Sequence, residues 1–311
     1  MKNFFAEIVA ALETGEPFAL GILSDVKGSS PQKRGAKALF FPDGRVIGTL
    51  GGGCLEAEVR ERARQALRTG QPSTFDLLLD HDFGWDDGLI CGGKVCGLIL
   101  PRVDGTQEIW RELAARTRVR SWGVRSDFSI AWVDGDNDAW LYRETVAPPC
   151  ELWIAGSGHV AKAVAPIAAS LDFAVTVFDD RPALASQQNF PTSALRVGAW
   201  EKILREPWPS RTVFGLIVTR GHQHDALVLR EWIHHPFAFL GMIGSRRKWR
   251  IIAAQFLQDG LATEESLARV ECPVGLEIGA VSVNEIAVSV AARLVQRRAE
   301  LLHPISERSG S

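Results

Sequence analysis

The residues with most chemical potential in this chain are two cysteines set among glycines. Cys54 lies in Gly51-Gly52-Gly53-Cys54-Leu55-Glu56, where an apolar stretch gives way to a helical pattern, and Cys91 opens Cys91-Gly92-Gly93 further along. Glycines allow backbone N–H groups to come close to a bound group. The unpaired amides of a helix's first turn carry partial positive charge, which favours an anion and would stabilise a thiolate at Cys54. The plain alternative for both cysteines is a small, buried packing residue, and Cys96 and Cys150 read that way outright.

A different chemistry is written in the second half. The apolar run Leu152 to Ala155 leads into Gly156-Ser157-Gly158-His159-Val160-Ala161, a G-x-G-x-x-A loop, followed by a helical pattern over Val160 to Ser170 and a strand over Ala174 to Phe178 ending at Asp179. In a dinucleotide-binding unit the first glycine permits the tight turn, the second admits a pyrophosphate, and a small third residue lets helix and strand pack. Asp179 is placed to accept hydrogen bonds from a ribose. Asp180 and Arg181 beside it leave NAD and NADP both open.

Two further strands end in polar clusters. Phe214 to Thr219 runs into Arg220-Gly221-His222-Gln223-His224-Asp225, and Phe239 to Ile243 into Gly244-Ser245-Arg246-Arg247-Lys248. Open α/β sheets bind ligands at the carboxyl ends of their strands, so both clusters are expected to face one crevice. His222, His224 and Asp225 are candidate metal ligands or proton carriers; the bland reading is that His224 and Asp225 cap a helix. Ser245, Arg246 and Arg247 suit an anion held by charge and helix amides.

The elements that must position these groups fall into two halves. Asp134-Gly135-Asp136-Asn137-Asp138 and then Pro148-Pro149 supply linker chemistry, which puts a boundary near residue 148. The expected organisation is an α+β domain over residues 1–147, a Rossmann-like doubly wound parallel-sheet domain over 148–303, and a flexible tail over 304–311. In the first half, strands are expected at Phe18 to Val26, Ala36 to Phe41 and Val46 to Leu50, a helix at Glu56 to Leu67, and strands at Phe75 to Leu79 and Val95 to Leu100. A helix near Glu108 to Arg116 and two strands within Ser129 to Leu141 complete it. Ser282-x-x-Glu285 reads as a capping box before a helix from Asn284 to Leu301, whose stripe of Ile286, Val290, Leu294 and Val295 suits a core or a dimer face.

Composition narrows the function classes. With 311 residues there is chain enough for two cores, and 46% hydrophobic with 23% charged residues is ordinary for a globular protein. A formal charge of -2 speaks against a general nucleic-acid binder. Met1 to Leu12 reads as an amphipathic helix rather than a signal peptide, and no stretch approaches the roughly 18 apolar residues of a membrane span. Five cysteines, an odd number without a CxxC pair, fit a reducing cytoplasm and no structural zinc. Cys272 is given no role.

Taken in order, Gly51 to Glu56, Cys91-Gly92-Gly93, the Gly156 loop, Thr219 to Asp225, Gly241-Met242-Ile243-Gly244-Ser245-Arg246-Arg247-Lys248 and Gly275-Leu276-Glu277-Ile278-Gly279 with Glu285-Ile286-Ala287 resemble the XdhC/CoxI family of xanthine dehydrogenase accessory proteins. The resemblance spans roughly residues 10 to 300 and implies an N-terminal XdhC/CoxI domain and a C-terminal Rossmann domain. It implies binding and shielding of the molybdenum cofactor (molybdopterin), presentation to a cysteine desulfurase for sulfuration, and delivery to a xanthine dehydrogenase-type molybdenum hydroxylase apoprotein, by a homodimer. NAD(P) or another nucleotide is a further candidate ligand, through Gly156, Gly158, His159 and Asp179. Under this resemblance Cys54 is a candidate ligand for molybdenum, Glu56 a partner for the pterin edge, and Gly52, Gly53, Cys91, Gly92 and Gly93 the close backbone. An NAD(P)-dependent oxidoreductase is the alternative, although no histidine stands in a dehydrogenase context.

Overall fold

The computed structural model describes residues 3–79, 93–103, 105–135 and 139–302. The chain divides into two compact units, Lys2–Pro148 and Pro149–Ser311. Among the described residues no helix is long and apolar enough to cross a membrane.

The first unit begins with helix α1 (Phe4–Thr14), which buries Phe5, Ile8 and Ala11 at helical spacing. Strands β1 (Ala19–Lys27), β2 (Lys37–Phe40) and β3 (Val46–Gly48) precede helix α2 (Gly53–Thr69), and β4 (Ser73–Leu79) and β5 (Gly93–Leu100) follow it. These strands form one sheet in the order β3-β2-β1-β5-β4, antiparallel throughout. The first five residues of β1 are all buried because the sheet is covered on both faces. Ala19 and Leu23 meet α2 through Val59 and Ala63, whereas Leu20 and Ile22 face the opposite core.

That opposite core is filled by α1, helix α3 (Gln107–Ala115) and a small antiparallel sheet, β7-β6-β8, made of β6 (Arg120–Arg125), β7 (Ile130–Trp132) and β8 (Trp140–Val146). Trp110 and Trp122 are fully buried there, with ring centroids 4.9 Å apart and nearly perpendicular.

The second unit alternates strand and helix. β9 (Glu151–Ala155), α4 (His159–Ser170), β10 (Ala174–Asp179), β11 (Ala194–Val197) and α5 (Trp200–Ile203) are followed by β12 (Val213–Ile217), α6 (His222–Trp232), β13 (Phe239–Met242), α7 (Arg246–Gln258), α8 (Glu264–Ala268), β14 (Val270–Glu271) and α9 (Val283–Leu302). The sheet order is β11-β10-β9-β12-β13-β14, all parallel. The chain leaves β9 toward β10 and leaves β12 toward β13, so the order reverses between β9 and β12, and sheets of this kind bind ligands at the carboxyl ends of the strands beside such a reversal. α4 and α9 cover one face of the sheet, α6 and α7 the other.

Three local outcomes differ from, or refine, the sequence expectation. α2 begins at Gly53 rather than Glu56, which puts Cys54 inside its first turn; glycine is a poor helix former, but the first turn lacks hydrogen-bond acceptors to lose. The Ser282 capping box forms, with Glu285 N donating to Ser282 Oγ at 3.3 Å and Ser282 N to Glu285 Oε2 at 2.7 Å. In α9, Val290 and Leu294 are buried against α4, while Val295 stays exposed.

Candidate functional site

In the first unit the Gly51 segment forms the start of α2. Gly52 is its N-cap, with φ +74 and, among the described residues, no atom within 4 Å of where a side chain would begin. No side chain caps the helix, and its first intrahelical bond is from Glu56 N to Gly52 O, which leaves the preceding amides without helical acceptors. Cys54 is a free, half-buried thiol in this turn. Glu56 turns back on the loop: Thr49 Oγ1 donates to its Oε2 at 3.0 Å, and Thr49 Oγ1 in turn accepts from Gly51 N at 3.1 Å. One Glu56 oxygen is thereby already used to brace the glycine loop.

Cys91 and Gly92 lie outside the described residues. Gly93, the first residue of β5, lies against the loop after β1. A side chain there would begin 2.1 Å from Ser29 O, so the glycine serves the close approach of β5 to the loop after β1. Two residues on, Pro31 lies 3.1 Å from the corresponding point on Gly51. The Ser29–Pro31 loop therefore touches both glycine-rich segments. Between these contacts Ser30 Oγ is shielded from solvent and has no hydrogen-bond partner among the described residues.

In the second unit the glycine loop joins β9 to α4. Gly156 has φ +114, and a side chain would begin 2.4 Å from Val218 O, so this position takes only glycine. Gly158, the N-cap of α4, opens onto empty space and no side chain caps the helix, whose first residue is the exposed His159. Ser157 is fully buried, and its N and Oγ both donate to Asp179 Oδ2, at 2.7 and 2.8 Å.

Asp179, the expected ribose acceptor, is engaged within the protein. It is fully buried, and besides Ser157 it accepts three hydrogen bonds from Arg181: N and Nε to Oδ1 at 2.9 and 2.8 Å, and Nη2 to Oδ2 at 2.8 Å. Burial pushes its carboxyl upward, but the bonds from Arg181 and Ser157 outweigh burial and hold it at about 2. An acid so engaged anchors the loop to the end of β10.

The His222 cluster carries the expected metal ligands of the second unit. Its residues form the first turn of α6, where Asp225 points inward and is fully buried while His222 is exposed. Asp225 Oδ1 accepts from Thr219 Oγ1 at 2.6 Å and from Thr219 N at 3.2 Å, and Oδ2 accepts from Lys248 Nζ. His224 Nε2 contacts Arg220 Nη2 at 2.8 Å. Among the described residues no group of three His, Cys, Asp or Glu side chains gathers to hold a metal, at Cys54 or here.

The basic run after β13 is divided among other tasks. Ser245 caps α7 by accepting from Lys248 N at 3.1 Å, Lys248 turns to Asp225, and Arg246 pairs with Glu277 at 3.0 Å on the surface. Arg247 is exposed. Cys272, beside Lys248 and Asp225, has its thiol pushed up by burial to about 11.

Asp180 and Arg220 join the two halves of the sheet end. Arg220 Nη2 donates to Asp180 Oδ2 at 2.9 Å, linking the end of β10 to the loop before α6. The other oxygen, Asp180 Oδ1, is shielded and accepts no hydrogen bond among the described residues; Arg181 Nε lies 3.8 Å from it.

This pairing of an α+β domain with a Rossmann domain defines the class of protein. A model of the XdhC Rossmann domain matches residues 152–294, and one of the XdhC and CoxI family matches residues 11–78. The chain belongs to the XdhC and CoxI family. It is 29% identical over 296 residues to the uncharacterized protein YqeB of Escherichia coli K12, covering 94% of this chain but 46% of that relative's length. It is 27% identical to a probable xanthine dehydrogenase subunit of Bacillus subtilis, over 96% of this chain and 98% of that protein. The molybdenum cofactor insertion chaperone PaoD of E. coli is 24% identical over 93% of this chain and 86% of its own length. A crystal structure described as a xanthine dehydrogenase from Bacillus halodurans superposes with a TM-score of 0.82 at 25% identity, covering 98% of this chain and 99% of that one.

Proposed function

We propose that this protein is a carrier chaperone that binds and shields the molybdenum cofactor, presents it to a cysteine desulfurase for sulfuration, and delivers it to a molybdenum hydroxylase of the xanthine dehydrogenase type. The observation that carries this reading is the uncapped start of α2, where Gly52 opens onto space beside the Cys54 thiol. The names of the B. subtilis and E. coli relatives support the same role.

The cargo combines a planar pterin, a soft dithiolene-bound metal and a phosphate. Its phosphate matches the unpaired amides of the α2 first turn. Cys54 offers a soft sulfur ligand for the metal. Glu56 keeps the glycine loop in place through Thr49. The carrier works as a homodimer in the cytoplasm. An NAD(P)-dependent oxidoreductase has less behind it, since Asp179 is saturated and His224 is tied to Arg220.

The test is to purify the protein anaerobically from cells that make the cofactor and to measure bound molybdenum and released pterin in wild type and Cys54→Ala. Wild type is expected to carry both and the variant to lose most of each, with stability unchanged within about 0.5 kcal/mol because Cys54 is half-exposed. Wild type without cofactor would refute the carrier role. Equal loading of both proteins would remove Cys54 from the site.

A further inference from the structure

The sheet of the second unit ends in a very short edge strand. β14 has two residues and pairs Leu240 with Val270 and Gly241 with Glu271, so Phe239, at the start of β13, has no strand beside it on that edge. Next to this gap lies a cavity of about 310 Å³, enclosed by the loop after α6, the end of α8 and the last turns of α9. It sits at the amino ends of β13 and β14, whereas open α/β sheets bind their usual ligands at the carboxyl ends. The cavity is therefore distinct from the Gly156 loop, and it shares no residue with the start of α2.

Its wall is core turned outward. Ile233, Phe237, Phe239, Leu240 and Val270 line it, each almost wholly covered by its own packing. A concave apolar wall of this kind, in a cavity at the lower end of the roughly 300–1,000 Å³ range of small-molecule sites, favours an apolar body. The rim is charged, and its two arginines differ. Arg297 is met by acids: Nη1 donates to Glu300 Oε2 at 2.9 Å and Nη2 to Glu271 Oε2 at 3.4 Å. Arg269 is exposed, and its Nη2 donates only to the neutral carbonyl of His235, at 3.1 Å; among the described residues no carboxylate pairs with it. That bond spans the chain from the end of α8 to the loop after α6, so it holds the guanidinium at the rim while leaving its charge unanswered. A guanidinium in this state matches a carboxylate in charge and geometry.

We infer that this cavity binds a small carboxylate with an apolar, aromatic body, the body against Phe237, Phe239 and Leu240 and the carboxylate on Arg269. The site goes beyond the cofactor reading of the first unit and does not rest on it.

Calorimetric titration of the full chain with 3-phenylpropanoate and with its neutral counterpart 3-phenylpropan-1-ol tests it, on wild type, Arg269→Gln and Ala268→Trp. Wild type is expected to bind the acid with a Kd on the order of 0.1 mM, which about eleven non-hydrogen atoms support. The alcohol should bind about 10-fold more weakly, the loss of one charge-assisted hydrogen bond. Arg269→Gln should bind the acid as weakly as wild type binds the alcohol. Ala268→Trp, at an exposed position lining the cavity, fills it with an indole and should bind neither. No binding of either probe by wild type, or undiminished binding by Ala268→Trp, would overturn the site. Equal binding of acid and alcohol by wild type would overturn the carboxylate class and the assignment to Arg269. The wild-type comparison holds even if a variant fails to fold, and none of these readings depends on cofactor loading at Cys54.

Discussion

Ser157 gives both its amide and its hydroxyl to a single oxygen of Asp179, at 2.7 and 2.8 Å. The link ties the glycine loop to the end of β10, and Arg181 completes the seal from two residues away. The carboxyl is therefore held below its ordinary 3.8, at about 2. A carboxyl depressed by folding adds stability above its unfolded value and loses it as pH falls through the folded one.

Acid titration should show this. The group contributes about 2 kcal/mol near neutral pH, and that contribution disappears between about pH 4 and pH 2. Arg181→Ala removes the strongest bonds to a buried carboxylate, so it should cost about 3 kcal/mol at pH 7 and move the acid loss to higher pH. Urea unfolding from about pH 2 to pH 8 would measure both; an unchanged acid limb in the variant would contradict the assignment.

The two glycines of the loop should respond in opposite ways. Gly156→Ala places a methyl 2.4 Å from Val218 O at φ +114, and should cost at least about 3 kcal/mol in thermal or urea unfolding. Gly158→Ala meets nothing within 4 Å at φ −73 and should leave stability within about 0.5 kcal/mol.

The Asp225–Lys248 pair joins α6 to α7, with the acid fully buried. Lys248→Met leaves that charge without its cation and should cost about 3–5 kcal/mol, with Thr219 still donating to the other oxygen. Added zinc should not restore the loss, as the histidines beside Asp225 do not converge on it. A rise in melting temperature with zinc would revive the metal site.

Much of the second unit was legible because local and global signals agreed: apolar Leu152 to Ala155, the glycine loop and apolar Ala174 to Phe178 each specify one element and all point to one fold. The site was less legible. Asp179 sits where a ribose acceptor belongs, and only the burial of Ser157 and the return of Arg181 show that its oxygens are filled. The pairing of Asp180 with Arg220 was not legible either, because it joins residues 40 positions apart. In the first unit β6 escaped notice: Arg120 and Arg125 at its ends and Gly123 at its centre blur the alternation that marks a strand. The start of α2 was read three residues late for a related reason, since its glycines describe a turn as well as a first helical turn.

The Ser29–Pro31 loop, held between Gly93 and Gly51, makes distant parts of the sequence answer to one another. Any side chain at Gly93 drives Ser29 away from β5, and the displaced loop carries Pro31 against the turn that leads into Cys54. Positions 29–31, 51 and 93 thus form one mutational unit, in which a replacement is tolerated only if its neighbours change in concert.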